Sequence, residues 1–113
     1  MDKNERETLA HYIRLLAEYK GRAGELAEAM KALQHLGETE SYEYLELREF
    51  HCCSMVTYWE FALLLLENWD LKIHDRQDEA FEIEFWKECR KMSRKARSEY
   101  TKKVEDESDP IGS

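Results

Sequence analysis

The sequence predicts an all-α fold, three long helices in an up-down-up antiparallel bundle, and three observations lead there. Four glycines and one proline in 113 residues leave few places to cut a helix or to build tight hairpins. Through three successive stretches the apolar residues recur at steps of three and four, the helical period. Charged side chains make up 37% of the chain against roughly 25% in an average globular protein, which suits amphipathic rods that expose much surface per buried residue. This length suits one core, so residues 1–104 are expected to form a single helical-bundle domain. Residues 105–113 are acidic, contain Pro110 and Gly112, and are expected to be a disordered tail.

The first helix is expected from about Asp2 to Leu36. Asp2 is the N-cap, Glu5 follows three positions on, and Gly37 closes the segment. Leu9, Tyr12, Leu16, Tyr19, Ala23, Leu26, Met30 and Leu33 alternate steps of three and four, a coiled-coil-like seam. Away from that seam run small residues, Ala10, Ala17, Gly21, Gly24 and Ala32, interrupted by Glu28. Each mid-helix glycine costs about 1 kcal/mol relative to alanine, which either a close approach by a packed partner helix repays or a locally kinked helix with no partner there tolerates, since Glu28 in the stripe would have to be paired or left wet. On the first of these readings Ala17, Gly21 and Gly24 are candidates for an oligomer interface.

The second helix should start near Thr39 or Ser41 and reach about Leu71, with Glu43 and Glu46 favourable near its positive N-terminal end. Between Phe50 and Leu66 its one charged residue is Glu60. Phe50, Val56, Trp59, Leu63 and Leu66 cover one side and Tyr58, Phe61 and Leu65 another, so this helix is expected to be central. Two flanking helices are not expected to cover it all round. Self-association follows, with Tyr58, Phe61 and Leu65 added to the interface and a homo-oligomer as the expected assembly. The run is broken by His51, Ser54, Thr57 and Glu60 and falls short of the ~18 to 20 apolar residues that span a bilayer, so no membrane partner is expected.

The third helix is expected from an Asp75 or Asp78 cap to about Val104, buried through Phe81, Phe85, Cys89, Met92, Ala96 and Tyr100.

The formal charge of −8 opposes general binding to nucleic-acid phosphates. Residues 87–103 depart from it, with eight basic and two acidic side chains. Within that block Arg90, Lys91, Arg94, Lys95 and Arg97 are the candidate partner-binding residues. They have three readings: complementarity to Glu43, Glu46 and Glu49 across an antiparallel hairpin, an acidic protein partner, or phosphate, as in nucleic acid. The charged start, Met1-Asp2-Lys3-Asn4-Glu5-Arg6-Glu7, is unlike a secretory leader, and three cysteines make a poor disulfide framework; a cytoplasmic location is expected.

No catalytic set stands out. His51, Cys52 and Cys53 are adjacent, and neighbours on a helix diverge by about 100°, so neither a zinc site nor a cysteine–histidine pair is expected from them. No cofactor is expected on this reading. Two carboxylate pairs, Glu25 with Glu28 and Glu46 with Glu49, each share one face of a helix, and two such pairs brought together can cage magnesium.

The stretch Gly24-Glu25-Leu26-Ala27-Glu28-Ala29-Met30, followed by an acidic then apolar second helix and a basic third helix, resembles the all-α nucleoside triphosphate pyrophosphatases, the MazG-like and dimeric dUTPase group. The resemblance implies magnesium held by E-x-x-E on one helix and E-x-x-D on the next, with Lys91 and Arg94 meeting phosphate. The motifs are not intact: Arg22 stands where the first metal-binding glutamate falls, the second pair reads Glu46-Leu47-Arg48-Glu49, and sliding it to Glu49 leaves Cys52 at the ligand position.

On the residues themselves the expected function is binding: a small self-associating helical protein–protein interaction module, acting as adaptor, regulator or inhibitor. The alternatives are a magnesium-dependent pyrophosphatase using Glu25, Glu28, Glu46 and Glu49, in active or degenerate form, and nucleic-acid binding through the basic face of the third helix.

Overall fold

The computed structural model describes residues 1–108. They form three helices, α1 (Lys3–His35), α2 (Tyr42–Trp69) and α3 (Glu79–Ser108), and among the described residues there is no strand. Each start is capped by a short polar side chain, which satisfies a backbone N–H that the first turn leaves without a helical partner. Asp2 accepts from the Glu5 N–H at 2.8 Å, Ser41 from the Tyr44 N–H at 3.2 Å, and Asp78 from the Phe81 N–H at 3.0 Å. The expected caps at Asp2, Ser41 and Asp78 are the ones used.

The ends differ more from expectation. α2 stops at Trp69, ahead of Leu71, because Asp70 takes the left-handed conformation (φ 52°). The Asp70 N–H then donates to the Leu66 carbonyl at 2.9 Å and the Leu71 N–H to that of Leu65 at 3.3 Å, closing the last turn as a Schellman motif does. α3 runs on to Ser108, so residues 105–108 of the expected tail are helical; residues 109–113 lie outside the described ones.

α2 is the middle rod. It packs against α1 on one side and α3 on the other, while among the described residues α1 and α3 make no contact of their own. The result is an elongated layer of 70 × 28 × 25 Å. Both neighbours run antiparallel to α2. Tyr12 meets Trp69 (ring centroids 6.0 Å apart) at one end of the α1–α2 pair, and Gln34 donates to the Tyr44 hydroxyl at 2.9 Å at the other. Along α3, Tyr42 meets Tyr100 (6.0 Å) and His51 meets the edge of Trp86 (5.4 Å).

The core lies toward the C-terminal half of α2, where Tyr58, Trp59, Ala62 and Leu65 close on Leu16 of α1 and Ile83 of α3. A third cover comes from the 70–78 connection. Its Leu71 and Ile73 pack on that cluster, and the His74 ring sits 4.7 Å from the Trp59 ring and hydrogen-bonds the Tyr58 hydroxyl. Lys72 ties the connection to α3, donating to the buried Glu79 carboxylate at 2.6 and 2.7 Å and to the Gln77 carbonyl at 2.5 Å.

This cover answers the expectation built on α2. From Phe50 to Leu66 only Phe50 and Glu60 are exposed, and every other residue is buried or half-buried by the same chain. The apolar circumference of α2 is therefore accounted for by two helices and a folded-back connection, and it supplies no reason for a second chain.

Candidate interaction surface on the third helix

Large apolar side chains are exposed on all three helices, Ile13 and Leu36 with α1 and Phe50 on α2 among them, but on α3 three of them share one face. At about 100° per residue, Phe81, Phe85 and Met92 fall within about 40° of one another on its circumference. They are 66%, 48% and 56% exposed. The residues α3 turns to the core, among them Glu79, Ile83, Ser93 and the half-buried Trp86, centre roughly 130° further round by the same geometry. Of the residues expected to be buried, Phe81, Phe85 and Met92 therefore face outward, whereas Cys89, Ala96 and Tyr100 are half-buried. The inner face carries a glutamate, a serine and an arginine among few apolar residues, so hydrophobic periodicity found only one edge of the packed side.

Of those inner polar residues Glu79 and Ser93 are hydrogen-bonded, whereas the buried Arg97 Nη1 and the Trp86 Nε1 beside them have no hydrogen-bond partner. Glu79 has Lys72; Ser93 donates to the Cys89 carbonyl at 2.9 Å and meets the Cys52 sulfur at 3.8 Å. Glu49, buried on α2, lies 3.6 Å from the Arg97 guanidinium and 3.8 Å from that of Arg94. Arg97 also lies over the Tyr42 ring at 5.8 Å. Of the five candidate partner-binding residues, Arg94 and Arg97 are therefore engaged inside the chain, Arg90 is half-buried, and Lys91 and Lys95 are exposed. A groove of about 520 Å³ runs past Arg94, Arg97 and Lys102, but Glu49 and Glu105 line it too, so it is not a bare phosphate cradle.

The four carboxylates do not meet. Glu49 is held by the two arginines, Glu28 pairs with Lys31 at 3.3 Å, Glu25 is exposed beside a separate α1–α2 groove, and Glu46 is half-buried near the start of α2. No group of three or more histidine, cysteine, aspartate or glutamate side chains among the described residues is placed to hold a metal ion.

The interface expected on α1 and α2 divides. Tyr58 and Leu65 belong to the chain's own core, at 6% and 0% exposure, and the half-buried Phe61 rings with Tyr12 and Tyr19, at 5.8 and 5.9 Å. These three are spent within the chain. Ala17, Gly21 and Gly24 are exposed, and a Cβ added at either glycine would meet nothing within 4 Å. Gly24 borders an apolar cleft of about 390 Å³ whose other side includes Met55 and Trp59 of α2.

The His51-Cys52-Cys53 run is not poised for nucleophilic chemistry. Burial pushes the Cys52 thiol up from its ordinary value, which disfavours the reactive thiolate, and burial lowers His51. All three cysteines are free.

No helix among the described residues is long and apolar enough to cross a membrane. The chain matches no protein-family model, no curated protein and no solved structure. Its class rests on the fold alone: an all-α protein of three antiparallel helices.

Proposed function

We propose that this chain is a small helical protein–protein interaction module that self-associates, docking through the outer face of α3. The observation that carries this is the exposure of Phe81, Phe85 and Met92 along one face of α3, with the exposed Glu88 among them, on a helix whose opposite side is already packed. Burying a side chain of this size is worth about 1.5 to 3 kcal/mol, so three of them in one stripe favour a protein surface over water. Lys91 and Lys95, free of the ion pairs that hold Arg94 and Arg97, give the stripe a charged flank that can select an acidic partner. A cytoplasmic setting belongs to the same reading, since three unpaired cysteines suit a reducing compartment.

Sedimentation velocity of the native chain and of a Phe81→Lys/Phe85→Lys double variant tests it. Both positions are exposed, so circular dichroism should show unchanged helix content. The native chain is expected to associate at micromolar concentration and the double variant to sediment as a monomer. A monomeric native chain overturns self-association; a double variant that associates as well as the native chain overturns the assignment to α3.

A further inference from the structure

We infer that the cleft between α1, α2 and the 70–78 connection is a binding site for a small planar aromatic carboxylate, its rings held against Trp59 and its carboxylate against Lys20. No residue of α3 lines this cleft, so the site is independent of how the outer face of that helix is used.

The cleft measures about 390 Å³. That lies at the low end of the roughly 300 to 1,000 Å³ of small-molecule pockets. It is also less than one turn of an α-helix with its side chains, which is about 10 to 12 Å across. Its size therefore suits a compact molecule and not a peptide helix. One side is aromatic. Tyr58 and Trp59 of α2 meet His74 of the connection, whose ring is 4.7 Å from that of Trp59 and hydrogen-bonded to the Tyr58 hydroxyl. The α1 side is small, Ala23, Gly24 and Ala27, and a Cβ built on Gly24 meets nothing within 4 Å. The chain's own packing does not call for that glycine, and a larger side chain there would stand in the cleft. A slot with one aromatic wall fits a flat ring system, through offset or edge-to-face contact. Trp59 itself is 3% exposed, and its Nε1–H has no acceptor among the described residues. A buried donor left in that state is rare and costly, and an acceptor on a molecule seated against the indole supplies what is missing.

Charge selects an acid. The chain carries −8 overall, and carboxylates line its other grooves: Glu60, Glu67 and Glu84 one between α2 and α3, Glu49 and Glu105 the one past Arg94, Glu25 the one beside Phe50. This cleft has no aspartate or glutamate in its lining and has the exposed Lys20 at its rim. Lys20 makes no ion pair among the described residues. Its neighbours three and four positions away are Leu16, Ala17, Ala23 and Gly24, so no carboxylate on α1 reaches it, unlike Arg22 with Glu18 or Lys31 with Glu28. Its ammonium can thus take a ligand carboxylate without breaking an existing pair. Burial lowers the pKa of His51, which adds an uncharged wall at neutral pH. A lone cation matches a carboxylate; a phosphate, with roughly two charges and three acceptor oxygens, calls for more donors than this rim holds.

Titration of the isotope-labelled full chain with β-naphthoate, and with the uncharged β-naphthalenemethanol, tests this through the indole N–H signals in heteronuclear NMR. Trp69→Phe and Trp86→Phe variants assign the Trp59 signal by elimination. β-Naphthoate should shift that signal saturably, with a Kd of about 1 mM or below, and leave the Trp69 signal in place. Lys20→Ala should weaken β-naphthoate by roughly threefold to tenfold and leave the alcohol unchanged. Gly24→Leu should weaken both by about tenfold or more, and because leucine is the better helix former its melting temperature should not fall. An absent or unsaturable shift at Trp59, or equal shifts of all three indoles, overturns the site. So does a Gly24→Leu variant that binds as well as the native chain. A Lys20→Ala variant that weakens acid and alcohol alike, or neither, overturns the assignment to a carboxylate.

Discussion

The Glu49 carboxylate on α2 faces the Arg97 guanidinium on α3 at 3.6 Å, longer than a hydrogen bond, with Arg94 alongside at 3.8 Å. One acidic residue thus anchors two members of the basic block, and one of the four carboxylates considered for magnesium is used as a counter-charge. Replacing Glu49 by alanine leaves the buried Arg97 Nη1 without its anion. Because Arg94 is more than half exposed and screened by solvent, the expected loss is about 2 kcal/mol, below the roughly 3 to 5 of a fully buried pair. Urea denaturation checks it; a loss of only a few tenths would mean that the pair contributes nothing.

His51 gives the fold a pH dependence of definite sign. Burial beside Trp86 lowers its pKa from 6.5, so above that value the ring is neutral in both folded and unfolded chains and stability is unaffected. Below it the unfolded chain takes up a proton first, and stability falls with pH until the folded ring also protonates. Comparing the native chain with His51→Gln at about pH 7 and about pH 5 isolates this group. The native chain should lose more stability over that interval than the variant; equal losses would show that His51 is not the source.

Gly21 and Gly24 should be improvable. Both lie in the interior of α1 with open space beyond the missing Cβ, so Gly21→Ala and Gly24→Ala are each expected to stabilise the fold by about 0.5 to 1 kcal/mol without weakening self-association. Thermal melts and sedimentation measure the two effects separately. A dimer that loosens on either substitution would return the interface to the small-residue stripe and take it from α3.

The cysteines should divide by burial. Cys52 is 3% exposed and its thiol is raised by burial, whereas Cys53 and Cys89 are half-buried. Under native conditions an iodoacetamide time course read by mass spectrometry should modify Cys53 and Cys89 well before Cys52. Early modification of Cys52 would contradict the packing of α2 on α3 at Ser93.

The helices were legible in the sequence because each depends on local chemistry. Asp2, Ser41 and Asp78 stand before their apolar runs, and Gly37 (φ 74°) follows the first. The end of α2 was less so, because nothing local announces that Asp70 rather than a glycine will adopt the left-handed turn. Half of the expected α3 face, Phe81, Phe85 and Met92, was misread for a tertiary reason. Its apolar stripe is the stronger periodic signal, yet the inner side is fixed by matches to distant residues, Glu79 with Lys72, Arg97 with Glu49 and Ser93 with Cys52, none of which a single helix's pattern contains. The same holds for α2, whose third cover, the 70–78 connection with Ile73 and His74, reads as loop until its contacts with Trp59 and Tyr58 are known. The pairing of α3's basic half with Glu49 was among the sequence alternatives, because opposite charges on an antiparallel hairpin can be placed by counting from the turn.

Two methionines of similar exposure offer a check on whether α3's outer face is covered in solution, Met92 at 56% and Met1 at 64%. Exposed methionine oxidises to the sulfoxide, and cover by another chain slows it. Dilute and concentrated samples of the native chain, treated briefly with peroxide, give the ratio of oxidation at Met92 to that at Met1 by mass spectrometry. The ratio is expected to fall several-fold as concentration rises through the micromolar range. A ratio that stays constant, with the chain at its monomer mass of 13.6 kDa throughout, would contradict a self-associating module built on α3.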